Sequence, residues 1–289
     1  DLNVLSGTFS VSLTDASAQY SGSAHYATLN GTQSGDDIQY FVHEGGVWLP
    51  ISYTPSVTNV SDGPKEIMVL VSRTGYTNAE ATATLTITPV EVTVTADDRS
   101  MTYGDTTTLT PAEGVTYAGF VNSETSSVVS GTGSITYTYK DGATVVAVDN
   151  TLDAGSYAIV PGVGGLSATN YTFVPANGTL TVGKATMEVT SDGYDELYDG
   201  AAHGLEAEVT GLTGMTITYS DSATGTFSAT SPKYTDAGTY TVYFKAVDSD
   251  GNYSDATGSA QIIIRKVEVT VTADDRSMTY GDTTTLTPA

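Results

Sequence analysis

Apolar and polar positions alternate along most of the chain with the period of an extended strand, and no segment keeps a helical period. Val90-Glu91-Val92-Thr93-Val94-Thr95 is the cleanest case. It opens a 23-residue stretch, VEVTVTADDRSMTYGDTTTLTPA, that occurs twice, at Val90–Ala112 and at Val267–Ala289. The copies are identical and lie 177 residues apart. A long fixed period is the mark of a tandem array. Each copy predicts one half-buried strand, a Tyr-Gly-Asp turn and the start of a second extended run. That is too little to bury a core alone. The second copy is therefore expected to begin a further repeat, with the chain a window of a longer repetitive protein.

The same pattern predicts strands elsewhere. In residues 1–88 they are Thr8–Leu13, Ile38–Val42, Val47–Leu49, Ile67–Val71 and Ala83–Ile87. The near-continuous apolar run Ile67–Val71 suits an interior strand. Pro89 then interrupts. In residues 90–184 they are Val90–Thr95, Ser134–Tyr139, Thr144–Val148, Tyr157–Val160, Tyr171–Val174 and Thr179–Val182, with Asn177-Gly178 reading as a hairpin turn. Residues 185–265 repeat the first segment. Tyr20-Ser21-Gly22-Ser23-Ala24-His25 aligns with Tyr198-Asp199-Gly200-Ala201-Ala202-His203, and Ile38-Gln39-Tyr40 with Ile217-Thr218-Tyr219. Gly75–Ala79 aligns with Asn252–Ala256. The expected division is 1–88 (type A), 89–184 (type B), 185–265 (type A again) and 266–289 (the incomplete start of a second type B). Each complete unit has the length and strand number of one immunoglobulin-like sandwich. The expected fold is all-β: tandem immunoglobulin-like β-sandwich domains in an elongated array.

Composition narrows the function. The 33 acidic residues against 10 basic ones give a formal charge of −23. Such a surface repels nucleic acid and anionic membranes. The absence of cysteine removes disulfides, thiolate catalysis and thiolate metal sites. No run approaches the roughly 20 apolar residues of a membrane-spanning helix.

Two segments carry the pattern of a tyrosine corner, in which a ring packs inward and its hydroxyl bonds back to the main chain. They are Asp153-Ala154-Gly155-Ser156-Tyr157 and Asp236-Ala237-Gly238-Thr239-Tyr240. Tyr157 and Tyr240 are expected to be mostly buried, with Asp153 and Asp236 opening the corners. The first segment departs from the pattern, with Asp62-Gly63-Pro64-Lys65-Glu66.

At these residues residues 90–184 resemble the YGX-type MBG domain of bacterial surface proteins. The carrying residues are Tyr103-Gly104-Asp105, Gly119-Phe120-Val121-Asn122, Asp153–Tyr157, Asn170-Tyr171-Thr172-Phe173 and Asn177–Val182. Pro175-Ala176 departs from the pattern. Residues 1–88 and 185–265 resemble a second type of Ig-like surface repeat, through Tyr198-Asp199-Gly200, Val209–Leu212, Tyr234–Tyr240 and Asn252–Gly258. The resemblance implies large extracellular adhesin-like proteins with repeats acting as stalk, and no catalytic residues.

No catalytic signature competes. There is no G-x-S-x-G, no Walker loop, and His43-Glu44 lacks the second histidine of a zinc helix. Gly162–Gly165 is a glycine-rich turn with no helix after it. His25 and His203 occupy one repeat position and read as packing residues. Asp248, Asp250 and Asp255 are candidate calcium ligands around Gly251, but they lack the spacing and terminal Glu of an EF-hand, and a plain hairpin turn is preferred. Trp48 reads as a core residue, or as a carbohydrate-stacking platform. Lys184 and Lys266 fall at domain junctions. The sequons at Asn30, Asn59, Asn170, Asn177 and Asn252 matter only if they are glycosylated.

The sequence thus predicts a non-enzymatic structural stalk or fibre-forming region of an extracellular cell-surface adhesin, needing no cofactor. Its partners are neighbouring repeats, with self-assembly into fibres and a glycan or host-surface ligand as further candidates. Nucleic acid and membrane insertion are not expected. The alternatives are a carbohydrate- or mucin-binding module and an accessory region of a larger secreted enzyme.

Overall fold

The computed structural model describes residues 7–105, 114–138, 144–281 and 283. The end of the first repeated stretch, Tyr139 and nearly all of 282–289 lie outside the described residues. The fold is all-β, in tandem sandwiches, and divides into two compact units, 1–183 and 184–289.

The first unit begins with a five-stranded sheet ordered Ala16–Gln19, Ala79–Thr88, Lys65–Ser72, Asp37–Glu44, Val47–Ile51. Lys65–Ser72 lies inside the sheet, as its continuous apolar run requires, and Val69 and Val71 are fully buried. Its partner Ala79–Thr88 alternates cleanly, burying Ala83, Leu85 and Ile87. Fully burying a Val, Leu or Ile side chain contributes about 1.5–3 kcal/mol. Of the run Thr8–Leu13 only the end is strand, at Ser12–Thr14, paired with Thr28–Asn30.

After Pro89 the chain enters Val90–Ala96, the middle strand of a three-stranded sheet. This strand runs antiparallel to Val115–Ala118 and parallel to Tyr171–Ala176. At Asp97-Asp98 the chain crosses to a second sheet, ordered Arg99–Thr102, Gly178–Gly183, Gly155–Gly162, Ser134–Thr138. The Asp98 carboxylate accepts the Thr179 N–H at 2.7 Å and pins the crossing. Asp15 does the same for Thr84 in the preceding sheet.

Two sequence expectations fail here. Thr144–Val148 is no strand, and its one ladder contact is an isolated bridge between Val145 and Thr138. Asn177-Gly178 is no hairpin, because the strands either side of it belong to different sheets. The link steps between sheets alongside the crossing at Asp97-Asp98, and each of its strands takes a parallel partner from the first repeated stretch. Glycine is needed for close approach there. A Cβ on Gly178 would stand 2.3 Å from the Ala96 carbonyl oxygen.

The second unit repeats the first architecture. Tyr194–Leu197, Ala256–Arg265, Gly238–Val247 and Thr216–Ser220 form a sheet in that order, and Val189–Thr190 pairs with Glu208–Val209. Its core holds Leu205, Val242, Ile262 and Ile264, with Met187, Val209 and Ala246 beyond. The second copy of the repeated stretch forms no strand over 267–281. Val269 and Val271 are 83% and 89% exposed, whereas their counterparts Val92 and Val94 are buried at 0% and 2%. One sequence takes two conformations because Val90–Ala96 is held by strands drawn from 115–176. Among the described residues no strand pairs with 267–281.

Candidate functional site

The two predicted corners differ in depth. Tyr157 is 5% exposed and donates its hydroxyl to the Asp153 carbonyl at 2.8 Å. Tyr240 donates to the Asp236 carbonyl at 3.2 Å, but its ring is only half-buried and stacks on Tyr234 with centroids 3.9 Å apart. In the first sheet the strand register puts Lys65 opposite Leu85, as Tyr240 stands opposite Ile262. Lys65 reaches the Ser56 carbonyl instead. The change of residue removes the corner, as the departing motif implied.

The acidic loop of the second unit does not converge. One oxygen of Asp248 accepts the N–H groups of Asn252 at 2.6 Å and Tyr253 at 2.9 Å, and the other accepts that of Asp250 at 3.0 Å. Burial would raise this carboxyl, but the main-chain donors outweigh it and hold its pKa below the ordinary value. Asp255 pairs with Lys245 at 2.6 Å. Among the described residues no cluster of three His, Cys, Asp or Glu could hold a metal. Asp248 is thus a turn-former whose oxygens face its own backbone. We expect Asp248→Ala to lower the melting temperature of the 184–289 unit, and chelation of divalent cations to leave the parent unchanged. The depressed pKa sets the sign with pH. The contribution is present above about pH 4 and is lost as pH falls below that. Melting followed by circular dichroism with and without EDTA checks both, and a clear fall on chelation would place a cation in the loop.

The three histidines stay apart, His25 and His203 half-buried and His43 exposed. His203 stacks on Tyr194 and meets Asp199 at 2.8 Å, while its repeat counterpart His25 meets Ser21 at 3.2 Å. His43 pairs with Glu66 and lies against half-buried Trp48. Among the sequons, Asn170 and Asn252 are buried, and Asn59 is half-buried with its side-chain oxygen accepting from Asn170. Asn30 and Asn177 are exposed. An open groove of about 660 Å³ beside Val94, Tyr117, Val129 and Leu166 is lined by no carboxylate or imidazole. Its walls offer no acid–base pair.

The most organised polar cluster escaped sequence reasoning. It joins the sheets of 7–88 to those of 90–183. Tyr20 and Tyr171 meet edge to face at 5.6 Å, and Phe120 packs on Tyr171 at 5.1 Å. Both tyrosine hydroxyls donate to Glu124, Tyr20 at 2.9 Å and Tyr171 closer still. The buried Asn170 amide donates to Asn59 at 3.0 Å and its carbonyl accepts the Val60 N–H at 3.0 Å. Burial and the Glu124 carboxylate push the Tyr171 phenol up to about 12, and Tyr20 is raised for the same reasons. The hydrophobic core is continuous here, running from Ile67 and Leu85 through Val90 and Val92 to Tyr171. Tyr20 and Tyr171 are 151 residues apart in sequence, so no local period could pair them.

These strands, the Asp153–Tyr157 corner and the Asn170-Tyr171 anchor lie within one stretch of known kind. Residues 92–181 match the MBG domain family, YGX type. The match covers about a third of the chain. No curated protein matches. Among solved structures, a three-Ig titin fragment is similar at 12% identity, covering 90% of this chain and 97% of its own, with a TM-score of 0.28. The N-terminal four Ig domains of Dscam1 (isoform 8.4) give 12% identity, 89% and 73% coverage and a TM-score of 0.29. Drosophila N-cadherin EC1-3 gives 10%, 92% and 100% coverage and 0.25. Scores so low carry no argument. Among the described residues no helix is long and apolar enough to cross a membrane.

Proposed function

We propose that the chain is a structural stalk or fibre-forming repeat region of an extracellular, cell-surface adhesin-like protein, without catalysis of its own. Its repeats are 1–88, 89–184, 185–265 and, begun again, 266–289. One observation carries this reading. Each sandwich pairs an early strand parallel to its last strand: Ala16–Gln19 with Ala79–Thr88, Arg99–Thr102 with Gly178–Gly183, and Tyr194–Leu197 with Ala256–Arg265. Tension entering at one strand and leaving at the other slides the pair lengthwise. All the ladder bonds then resist together, whereas strands pulled apart from one end would unzip bond by bond. The MBG match of 92–181, the continuous core between the first two repeats and the high negative charge fit a soluble, tension-carrying array.

Single chains pulled from both ends by force spectroscopy should lengthen in abrupt steps, one per sandwich. Gradual extension at low force would defeat the reading. Antibodies raised to residues 1–183 should label intact producing cells. Labelling only after lysis would remove the surface assignment.

A further inference from the structure

The two type A repeats end in the same way but are covered differently. In the first, the Tyr20 N–H donates to the Thr88 carbonyl at 2.9 Å; in the second, the Tyr198 N–H donates to the Arg265 carbonyl at 2.8 Å. Two residues on, Gly22 and Gly200 both hold left-handed backbone, with φ of +76° and +80°. The sequence after each last strand becomes identical from Val90 and Val267. The surroundings then diverge. Tyr20 is 5% exposed beneath Tyr171, and Tyr198 is 45% exposed. A Cβ on Gly22 would stand 2.4 Å from the Asn122 side chain, whereas on Gly200 it would meet only Tyr198 Oη at 3.9 Å. Leu197 beside it is exposed as well.

We propose that the face formed by Leu197, Tyr198 and Gly200 is a docking surface for a second sandwich of the 90–183 kind. Val267–Tyr280 supplies the first strands of that sandwich, and its other strands come from a segment equivalent to 114–183. The first repeat is the template. There the docked sandwich places an aromatic ring and a carboxylate on the tyrosine and an amide side chain against the glycine. The left-handed glycine leaves room that a Cβ would take. Burial of Tyr198, Val269 and Val271 rewards both events together, since the same segment covers all three. An intact second copy is a poor occupant. Its own 90–183 sandwich already holds its first strand and already covers its own Tyr20. The inference stands on the internal repeat and is independent of the surface-stalk reading.

The test appends a second copy of residues 113–183 after Ala289 of the full chain. Hydrogen exchange reads the amides of 267–276, and hydroxyl-radical footprinting reads Tyr198. The expected result is exchange slowed by at least about tenfold over 267–276, with Tyr198 labelling falling toward that of Tyr20. Adding Tyr198→Ala to the extended chain should leave 267–276 protected while separating the melting of the appended sandwich from that of 185–265. Three outcomes would overturn the proposal. The 267–276 amides stay as unprotected as in the parent. Or they become protected while Tyr198 stays as reactive as before. Or the parent chain alone gains protection that rises with its concentration, which would give the face to a second copy.

Discussion

Tyr157→Ala is expected to destabilise the 1–183 unit by about 3–5 kcal/mol, the range for deleting a large core aromatic. The ring packs in the core with Ile159, Leu180 and Val182, and its hydroxyl holds the chain reversal at Asp153. Tyr157→Phe keeps the ring and loses only that bond, so it should cost about 1 kcal/mol. The difference separates packing from the hydrogen bond. Tyr240→Ala should cost less than Tyr157→Ala, because half of its ring already faces water. Trp48 is the only tryptophan and lies in the first unit, so its fluorescence in a urea titration follows that unit alone. Because the core is continuous from Ile67 to Tyr171, destabilising the second sandwich should shift a transition read at Trp48 in the first. A loss below about 1 kcal/mol for Tyr157→Ala would show that the ring is not core.

Most strands were legible because burial on one face of a sheet forces a period of two. Ala79–Thr88, Val90–Ala96 and Gly178–Gly183 each carry it without interruption, whereas Lys65–Ser72 shows as the continuous apolar run of an interior strand. What failed was pairing, which the period does not encode. Asn177-Gly178 has the composition of a tight turn, yet the strands on either side go to different sheets because Val90–Ala96 and Arg99–Thr102 take them up separately. Val267–Val271 has a perfect strand pattern and forms none, since a half-buried strand needs a surface to be buried against. The corners were visible as a local motif because the donor and acceptor are four residues apart. The Tyr20–Glu124–Tyr171 cluster was not, for its members come from three distant segments. Tyr20, Phe120 and Tyr171 stood in separate motifs, the Tyr-x-Gly shared by 20 and 198, Gly119–Asn122 and Asn170–Phe173, and no local spacing joins them.

Tyr171→Ala should be as damaging as Tyr157→Ala, about 3–5 kcal/mol, and should change the character of unfolding as well. Tyr171 touches both halves of the first unit: its ring packs on Tyr20 and Phe120, and its hydroxyl meets Glu124 and the main chain of Val121. Removing it takes away a ring that packs against both halves. The single transition read at Trp48 should then part from that of the 90–183 sheets, whereas Tyr157→Ala should leave the two joined. The junction also has a pH signature. Burial, with the Glu124 carboxylate beside it, raises the folded phenol from 10 to about 12. A raised pKa gives stability that is complete below pH 10 and is lost as pH climbs through about 12, where the phenolate must form against a neighbouring carboxylate. Stability measured at intervals from pH 9 to 12 should therefore fall in the parent, and fall less in Tyr171→Phe, which has no proton to lose. Burial and the Glu124 carboxylate raise Tyr20 as well, so Glu124→Gln, which removes the charge and leaves one acceptor oxygen for the two hydroxyls, should also lessen the alkaline loss. An alkaline profile identical in all three proteins would mean that the cluster does not hold the two sandwiches together.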